Sequence, residues 1–226
     1  MSAPATLKIE NEIALITMDD GKANAINPPM LSALHACLDE AEANAKVVVI
    51  TGRAGRFSAG FDLKLMASSP GEEVKALVDN GGVLAHRLYG FSKPVVAACN
   101  GHGIAMGSFI LMSCDVRIGT RGAYKLGANE TQINMVLPIF ASELLRARVP
   151  QQMLTQSGIQ GHLYDPESAV TAGFLDMVVD EGQALASAME HAAALVPLSG
   201  TAYAGNKRLL RETTLTTIAA SLPGLV

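Results

Sequence analysis

Residues 98–115 read ACNGHGIAMGSFILMSCD. A short apolar strand runs through Cys99 into three glycines, Gly101, Gly103 and Gly107, and an apolar helix follows. Glycines between a strand and a helix serve a tight turn or a close approach of backbone to something else. Ahead of the Asp115 that ends it, the stretch has no acid, no lysine and no paired ligand set, so backbone is the candidate for any chemistry its glycine loop performs. A second junction of the same kind, FSAGFD at residues 57–62, follows the preceding apolar strand. In a parallel sheet such junctions gather at the carboxyl edge of the strands, where helix starts present unpaired N–H groups at the positive end of the dipole. Two of these aimed at one point make an oxyanion hole. The spacing G-x-G-x-x-x-G is also a relative of the dinucleotide fingerprint. Against that reading, the next strand, VRIGTRGAY at residues 116–124, offers Arg117 and Arg121 where an acid is needed.

The 226 residues are 49% hydrophobic and 17% charged, which excludes disorder and suits one domain with a core of Ala, Val, Ile, Leu and Met. A net charge of −4 argues against nucleic acid or an anionic membrane as partner. Cys37, Cys99 and Cys114 have neither CxxC nor metal spacing and are expected as free thiols in a reducing compartment. His35, His86, His162 and His191 form no metal pattern. The start, MSAPATLKIENEIALITMDD, lacks a basic region followed by a long apolar run, so no signal peptide is expected, and nothing reaches transmembrane length. A cytoplasmic location is the expectation.

Alternation around Asn11-Glu12 predicts a hairpin. Pro28 and Pro29 suit the start of a helix over about Met30–Ala45. KVVVITG and KPVVAACN predict buried strands, with RAGRFSAGFD and the glycine stretch as loops after them. Helix is expected over Leu63–Met66 and Glu72–Phe91, short strands at VRIG and AYKLG, and a mainly helical remainder apart from a strand at LDMVVD. Strands alternating with helices make this an α/β domain.

Five segments in order carry a resemblance: ITGRAGRFSAGFDLKLM (50–66), KPVVAACNGHGIAMGS (93–108), LMSCDVRIG (111–119), LGANETQINMVLP (126–138) and PESAVTAGFLDMVVD (166–180). Together they resemble the signatures of the enoyl-CoA hydratase/isomerase family, the crotonases, from about Leu7 to Arg211. The resemblance implies a spiral of ββα turns over residues 1–195 and a short helical trimerisation region over 196–226, giving a homotrimer or a dimer of trimers. It implies an acyl-CoA thioester as substrate, no separate cofactor, and a thioester enolate held by two backbone N–H groups.

Carried over by position, the donors are the amides of Phe61 and Met106. Met106 stands where many relatives have glycine. The segments matching the family's CoA contacts nominate Lys22, Ala23, Ala25, Ile26, Ala59, Asp62, Leu63 and Lys64, with Gly107 and Phe109 beside the second donor. Asp62 has an equal claim as a helix cap, and Lys22 and Lys64 as solvated lysines. His102 is expected beside the adenine or pantetheine path, and Asp115 in a structural role. Hydratases of this family use two glutamates. Here the first position is Phe109 and the second is Glu130, whose neighbours Leu126, Ile133, Met135 and Val136 suggest the edge of an apolar pocket. One carboxylate with an oxyanion hole suits a Δ3-Δ2-enoyl-CoA isomerase, which moves one proton from C2 to C4. The alternatives are a hydratase using Glu130 alone, and a non-catalytic acyl-CoA binder.

Overall fold

The computed structural model describes residues 3–225. Strands β1 (Ala5–Glu10) and β2 (Ile13–Met18) form the expected antiparallel hairpin, and both turn residues, Asn11 and Glu12, take positive φ. Helix α1 (Pro28–Asn44) starts where the two prolines put it, capped by Asn27, whose side-chain oxygen accepts from Met30 N at 3.0 Å. The chain then enters β3 (Val47–Thr51), β4 (Gly55–Ser58), α2 (Leu63–Ser68) and α3 (Gly71–Tyr89). A second turn follows as β5 (Val95–Cys99), β6 (Gly101–Ile104) and α4 (Met106–Ser113), and a third begins with β7 (Val116–Thr120) and β8 (Leu126–Gly127). Helices α5 (Ile139–Arg148) and α6 (Pro166–Thr171) lead to β9 (Met177–Val179), and α7 (Ala184–Leu195) and α8 (Thr201–Ala220) close the fold.

Each turn of the spiral gives one strand to a large sheet and the next to a small one. The large sheet has the order β1-β2-β3-β5-β7-β9, parallel from β2 onward, and the small sheet is β4-β6-β8. The central strands β3 and β5 are buried on both faces, as parallel strands covered by helices must be. Val48, Ile50, Val95 and Ala97 face α1, α3 and α4, while Val47, Val49, Val96 and Ala98 meet Ala188 and Ala192 of α7.

Two segments read as loops from sequence are strands. RAGRFSAGFD contains β4 and the glycine stretch contains β6. Both are four residues long and glycine-bearing, so neither has an apolar alternation to announce it. Gly101 of β6, and Gly107 just beyond that strand, are glycine because the turns of the spiral touch. A Cβ on Gly101 would lie 2.0 Å from the carbonyl carbon of Gly55, and one on Gly107 would lie 2.4 Å from the oxygen of Ser58. These are close-approach glycines between successive turns, and neither has a positive φ.

Asp115 has the expected structural role. Its carboxylate accepts from Val95 N (2.8 Å), Tyr203 OH (3.0 Å) and Lys207 Nζ (2.8 Å), and Arg211 lies 2.8 Å from its other oxygen. The cluster ties α8 to the edge of β5. With Ile218 and Leu222 buried in the main core, the C-terminal helix packs on the same core as the spiral.

Gly101→Ala is expected to abolish soluble folded protein or to lower Tm steeply, since the new methyl has backbone in its way. Gly205→Ala, in the middle of α8 with open space around its Cβ, is expected to stabilise by about 1 kcal/mol from helix propensity. Thermal unfolding of the two variants side by side checks both.

Candidate active site

The site begins with Gly60, whose φ of +89° suits glycine alone and turns the chain out of β4. A Cβ here would lie 2.8 Å from the Ala105 Cβ and 3.2 Å from Met106 N, so the first junction rests directly on the second. Ile26 pairs with the next residue, Phe61, in a parallel bridge: Ile26 N donates to Gly60 O (2.8 Å) and Asp62 N to Ile26 O (3.1 Å). That pairing leaves the Phe61 amide facing away from Ile26. Met106 is the first residue of α4, so its amide has no intrahelical acceptor. Among the described residues neither the Phe61 nor the Met106 N–H has a hydrogen-bond partner.

The methionine itself carries no backbone strain. The positive φ falls one residue earlier, on Ala105 (φ 50°, ψ −124°), a conformation that favours glycine. The Phe61 ring and the Met106 sulfur both pack on Gly81 of α3, where a Cβ would come within 2.5 Å of the ring.

Glu130 opens a short 3-10 turn, Glu130–Ile133, and is buried. Its Oε2 has no hydrogen-bond partner among the described residues. Burial pushes the carboxyl up to about 7, opposed only by a bond to its own backbone. It faces a pocket of about 60 Å³ lined by Ala59, Phe61, Leu63, Met66, Ile104, Ala105, Asn129, Glu130, Ile133 and Met135. Glu130 is the one ionisable side chain in that lining.

Of the residues nominated from sequence, Glu130, Phe61, Ala59 and Leu63 line this pocket; Met106 follows the lining residue Ala105 in the chain and is not itself in the lining. Ala23 and Ile26 belong to the loop laced to the first junction, with Ala59 N donating to Ala23 O at 3.0 Å; Ile26 is fully buried. Ala25 N donates to Asp20 at 3.0 Å. Lys22 and Lys64 are exposed. Asp62 caps α2, accepting from Lys64 N and Leu65 N at 3.1 Å, and does not line the pocket. His102 lies on β6, its Nδ1 accepting from Lys125 N at 3.1 Å and its ring edge-on to Tyr124.

Gly107 and Phe109, nominated beside the second donor, also stand outside the lining. Gly107 is a packing glycine against Ser58. Phe109 is buried on α4 with its ring edge-on to Phe140, centroids 5.8 Å apart. Apolarity had marked Phe109 correctly as lacking a carboxylate, but not the direction of its side chain. Of Glu130's apolar neighbours, Ile133 and Met135 line the pocket, Leu126 belongs to the core and Val136 is exposed.

Sequence reasoning missed Asn24. It is fully buried with φ 52°; its amide nitrogen lies within hydrogen-bonding reach of Met18 O, Phe57 O and Arg56 O, and its own carbonyl accepts from Ser58 Oγ at 2.7 Å. It moors the 20–26 loop to β4. The one sequence signal for it is a small amide between two alanines in a turn, which favours positive φ but names no partner. Met66, Ile104 and Ala105 were also missed as lining residues; nothing in their local sequence distinguishes them from core.

A spiral of ββα turns whose first two junctions meet beside an apolar slot, each with an amide free of any partner among the described residues, suits a class of enzymes that stabilise an oxyanion. The family model described as enoyl-CoA hydratase/isomerase matches residues 8–222, and the chain belongs to that family. It is 30% identical over 196 residues to a probable enoyl-CoA hydratase of Bacillus subtilis, covering 80% of this chain and 74% of the relative. The probable enoyl-CoA hydratase EchA3 of Mycobacterium tuberculosis is 37% identical with a TM-score of 0.94, covering 98% of this chain and 94% of that one. The human mitochondrial delta3-delta2-enoyl-CoA isomerase has a TM-score of 0.91 at 25% identity, covering 96% and 86%.

The raised carboxyl fixes a sign. The folded protein holds the Glu130 proton more tightly than the unfolded chain, so native stability falls as pH rises from the ordinary carboxylate value toward about 7. Glu130→Gln removes that loss. It is expected to match wild type near about pH 4 and to exceed it by roughly 3 kcal/mol near about pH 8. Denaturant unfolding at the two pH values measures this.

Proposed function

We propose that the protein is a Δ3-Δ2-enoyl-CoA isomerase that uses one glutamate and a backbone oxyanion hole. The observation that carries this reading is the lone carboxylate: Glu130 is the single ionisable group in a lining otherwise of apolar residues and one amide, Asn129. In the proposed step the ionised Glu130 removes a proton from C2 of a 3-enoyl thioester. The electron pair moves onto the thioester oxygen, giving a dienolate held by the Phe61 and Met106 amides. Glu130 then returns the proton at C4 as the double bond settles between C2 and C3. Proton in and proton out balance, and no cofactor takes part. Each well-directed amide is worth roughly 2.7–4 kcal/mol in such a transition state, and positioned proton transfer a further factor of about 10²–10⁴.

The acyl chain, under this proposal, extends past Met66. That residue also borders a cavity of about 510 Å³ between α1, α2 and α3, walled by Leu31, Leu65, Val74 and Leu77. Lys22 and Lys64 are proposed to meet the phosphates of CoA. The names of the relatives pull both ways, since hydratases predominate among them while the human relative is an isomerase. A hydratase reading has one observation in its favour: the Asn129 amide in the lining is a polar group near Glu130 that can orient water.

The test is to supply a 3-enoyl-CoA and a 2-enoyl-CoA in parallel, over a range of chain lengths. Isomerisation without comparable hydration is expected, with kcat/KM rising through about pH 7 as Glu130 ionises. Hydration as the faster reaction reverses the assignment, and binding without turnover makes the protein an acyl-CoA binder.

Assembly into a trimer or a dimer of trimers belongs to the same proposal. It is supported by exposed Val136, Ile139, Ile159, Leu209 and Leu210, more apolar surface than a solitary chain usually leaves to water. Light scattering at micromolar concentration is expected to give a mass of three or six chains; a stable, active monomer refutes it.

A further inference from the structure

The second amide donor is held by machinery of its own. Met106 N–H and Ala105 C=O belong to one peptide plane, and in a trans peptide they point in opposite directions. The Ala105 oxygen accepts from three donors: Ser108 N at 2.8 Å, Phe109 N at 3.2 Å and the Ser108 hydroxyl at 2.8 Å. All three lie on the α4 side, so the amide at the other end of the plane is driven toward the pocket. The preceding peptide is fixed as well, with Ala105 N donating to Gly127 O of β8 at 2.9 Å. Between these two anchored planes sits Ala105, at a φ of 50° and ψ of −124°. An alanine left to itself relaxes from that conformation by rotating a flanking peptide, and rotation of the Ala105–Met106 plane would withdraw the donor.

Ser108 is fully buried, and its hydroxyl is used on this carbonyl. The same helix contains a matched residue without this connection. Ser113 is also fully buried, and its hydroxyl donates to Phe109 O at 2.8 Å, a carbonyl remote from the pocket.

We propose that Ser108 is a positioning residue, whose hydroxyl clamps the Ala105–Met106 peptide in its strained orientation and thereby aims the Met106 amide at the thioester oxygen. The proposal rests on the thioester reading given above. Ser108 does not touch the substrate; it acts through the peptide it grips. Once the hydroxyl is gone, two donors remain on the carbonyl against the strain at Ala105, and the donor loses its fixed direction.

An arylacryloyl-CoA reports this directly, because hydrogen bonds to its thioester oxygen polarise the conjugated chain and shift its absorbance to longer wavelength on binding. In Ser108→Ala the red shift is expected to shrink and kcat for 3-enoyl-CoA isomerisation to fall about tenfold or more, with KM changed much less. Ser108→Cys, a weaker donor of similar size, is expected to lie between Ser108→Ala and wild type. Ala105→Gly is expected to be at least as heat-stable as wild type, yet to show a smaller shift, since glycine lets the plane turn. Ser113→Ala serves as the control: any loss of Tm like that of Ser108→Ala should leave the shift and kcat intact. A full red shift in both Ser108→Ala and Ala105→Gly overturns the clamp. Equal losses of shift in Ser108→Ala and Ser113→Ala also overturn it, by making the effect one of general packing. A wild type that binds no arylacryloyl-CoA removes the thioester reading, and the proposal with it.

Discussion

Two consecutive turns of the spiral touch along a line of glycines, and the rest of the architecture follows from that contact. Gly101 lies against Gly55 and Gly107 against Ser58, while Gly60 lies against Ala105 and the Met106 amide. Side chains at these positions would hold the turns apart by more than the reach of a backbone amide. Because they are absent, the first junction rests directly on the second, and the Phe61 and Met106 amides start from adjoining turns. The loop carrying Ile26 is a third layer on the same stack, held by Asn24 to β4 and by its bridge to Phe61. The two junctions are thus held by contacts and hydrogen bonds of the fold itself, which is what the proposed function requires of fixed dipoles.

The same tight packing sets the electrostatics. Glu130 lines a small, largely apolar slot with Ile133, Met135 and Phe61. With one oxygen lacking a partner, the carboxylate is poorly solvated, and its proton is held up to about 7. An ordinary carboxylate is too weak a base for a carbon acid; one near neutrality is better matched. The contrast within the molecule is Asp115, equally withdrawn from solvent but surrounded by Lys207, Arg211, Tyr203 and a backbone amide. Glu130 has no counter-ion in its pocket lining, while Asp115, with three donors on one oxygen and Arg211 against the other, holds a helix in place.

What the sequence made legible follows from how local each signal is. The Asn11-Glu12 hairpin, the valine runs of β3 and β5 and the proline start of α1 are announced by neighbouring residues, and they stand where expected. Strands β4 and β6 were not legible, because their reason for being strands is the partner across the small sheet and their glycines look like those of a turn. A glutamate by residue type alone belongs at the surface, and only the register of five segments marked Glu130; the slot around it comes from residues scattered between Ala59 and Met135. Asn24 and Ser108 were invisible for the same physical reason. Each is a small polar residue whose value lies in one or two hydrogen bonds to carbonyls, and the importance of those carbonyls depends on where the fold takes them.

Phe109 shows how packing, and not just the list of groups present, restricts the chemistry. By the resemblance of sequence segments the residue falls where a two-glutamate site would have its first acid, and the simplest view treats it as a missing part. Its ring, however, is buried edge-on against Phe140 inside the apolar layer between α4 and α5, and it contributes nothing to the pocket wall. A carboxylate there would lack a partner, and burying it ionised is so costly that it would take up a proton instead. A protonated acid turned toward Phe140 neither orients water nor shares a charge with Glu130. A change of one side chain is therefore insufficient to supply a second working carboxylate. The helix would also have to present that position to the slot, and Ala105, Ser108 and Gly107 hold its first turn against β4 and β8 in the orientation that serves the Met106 amide. The contacts that fix the Met106 amide are the ones that keep position 109 in the core.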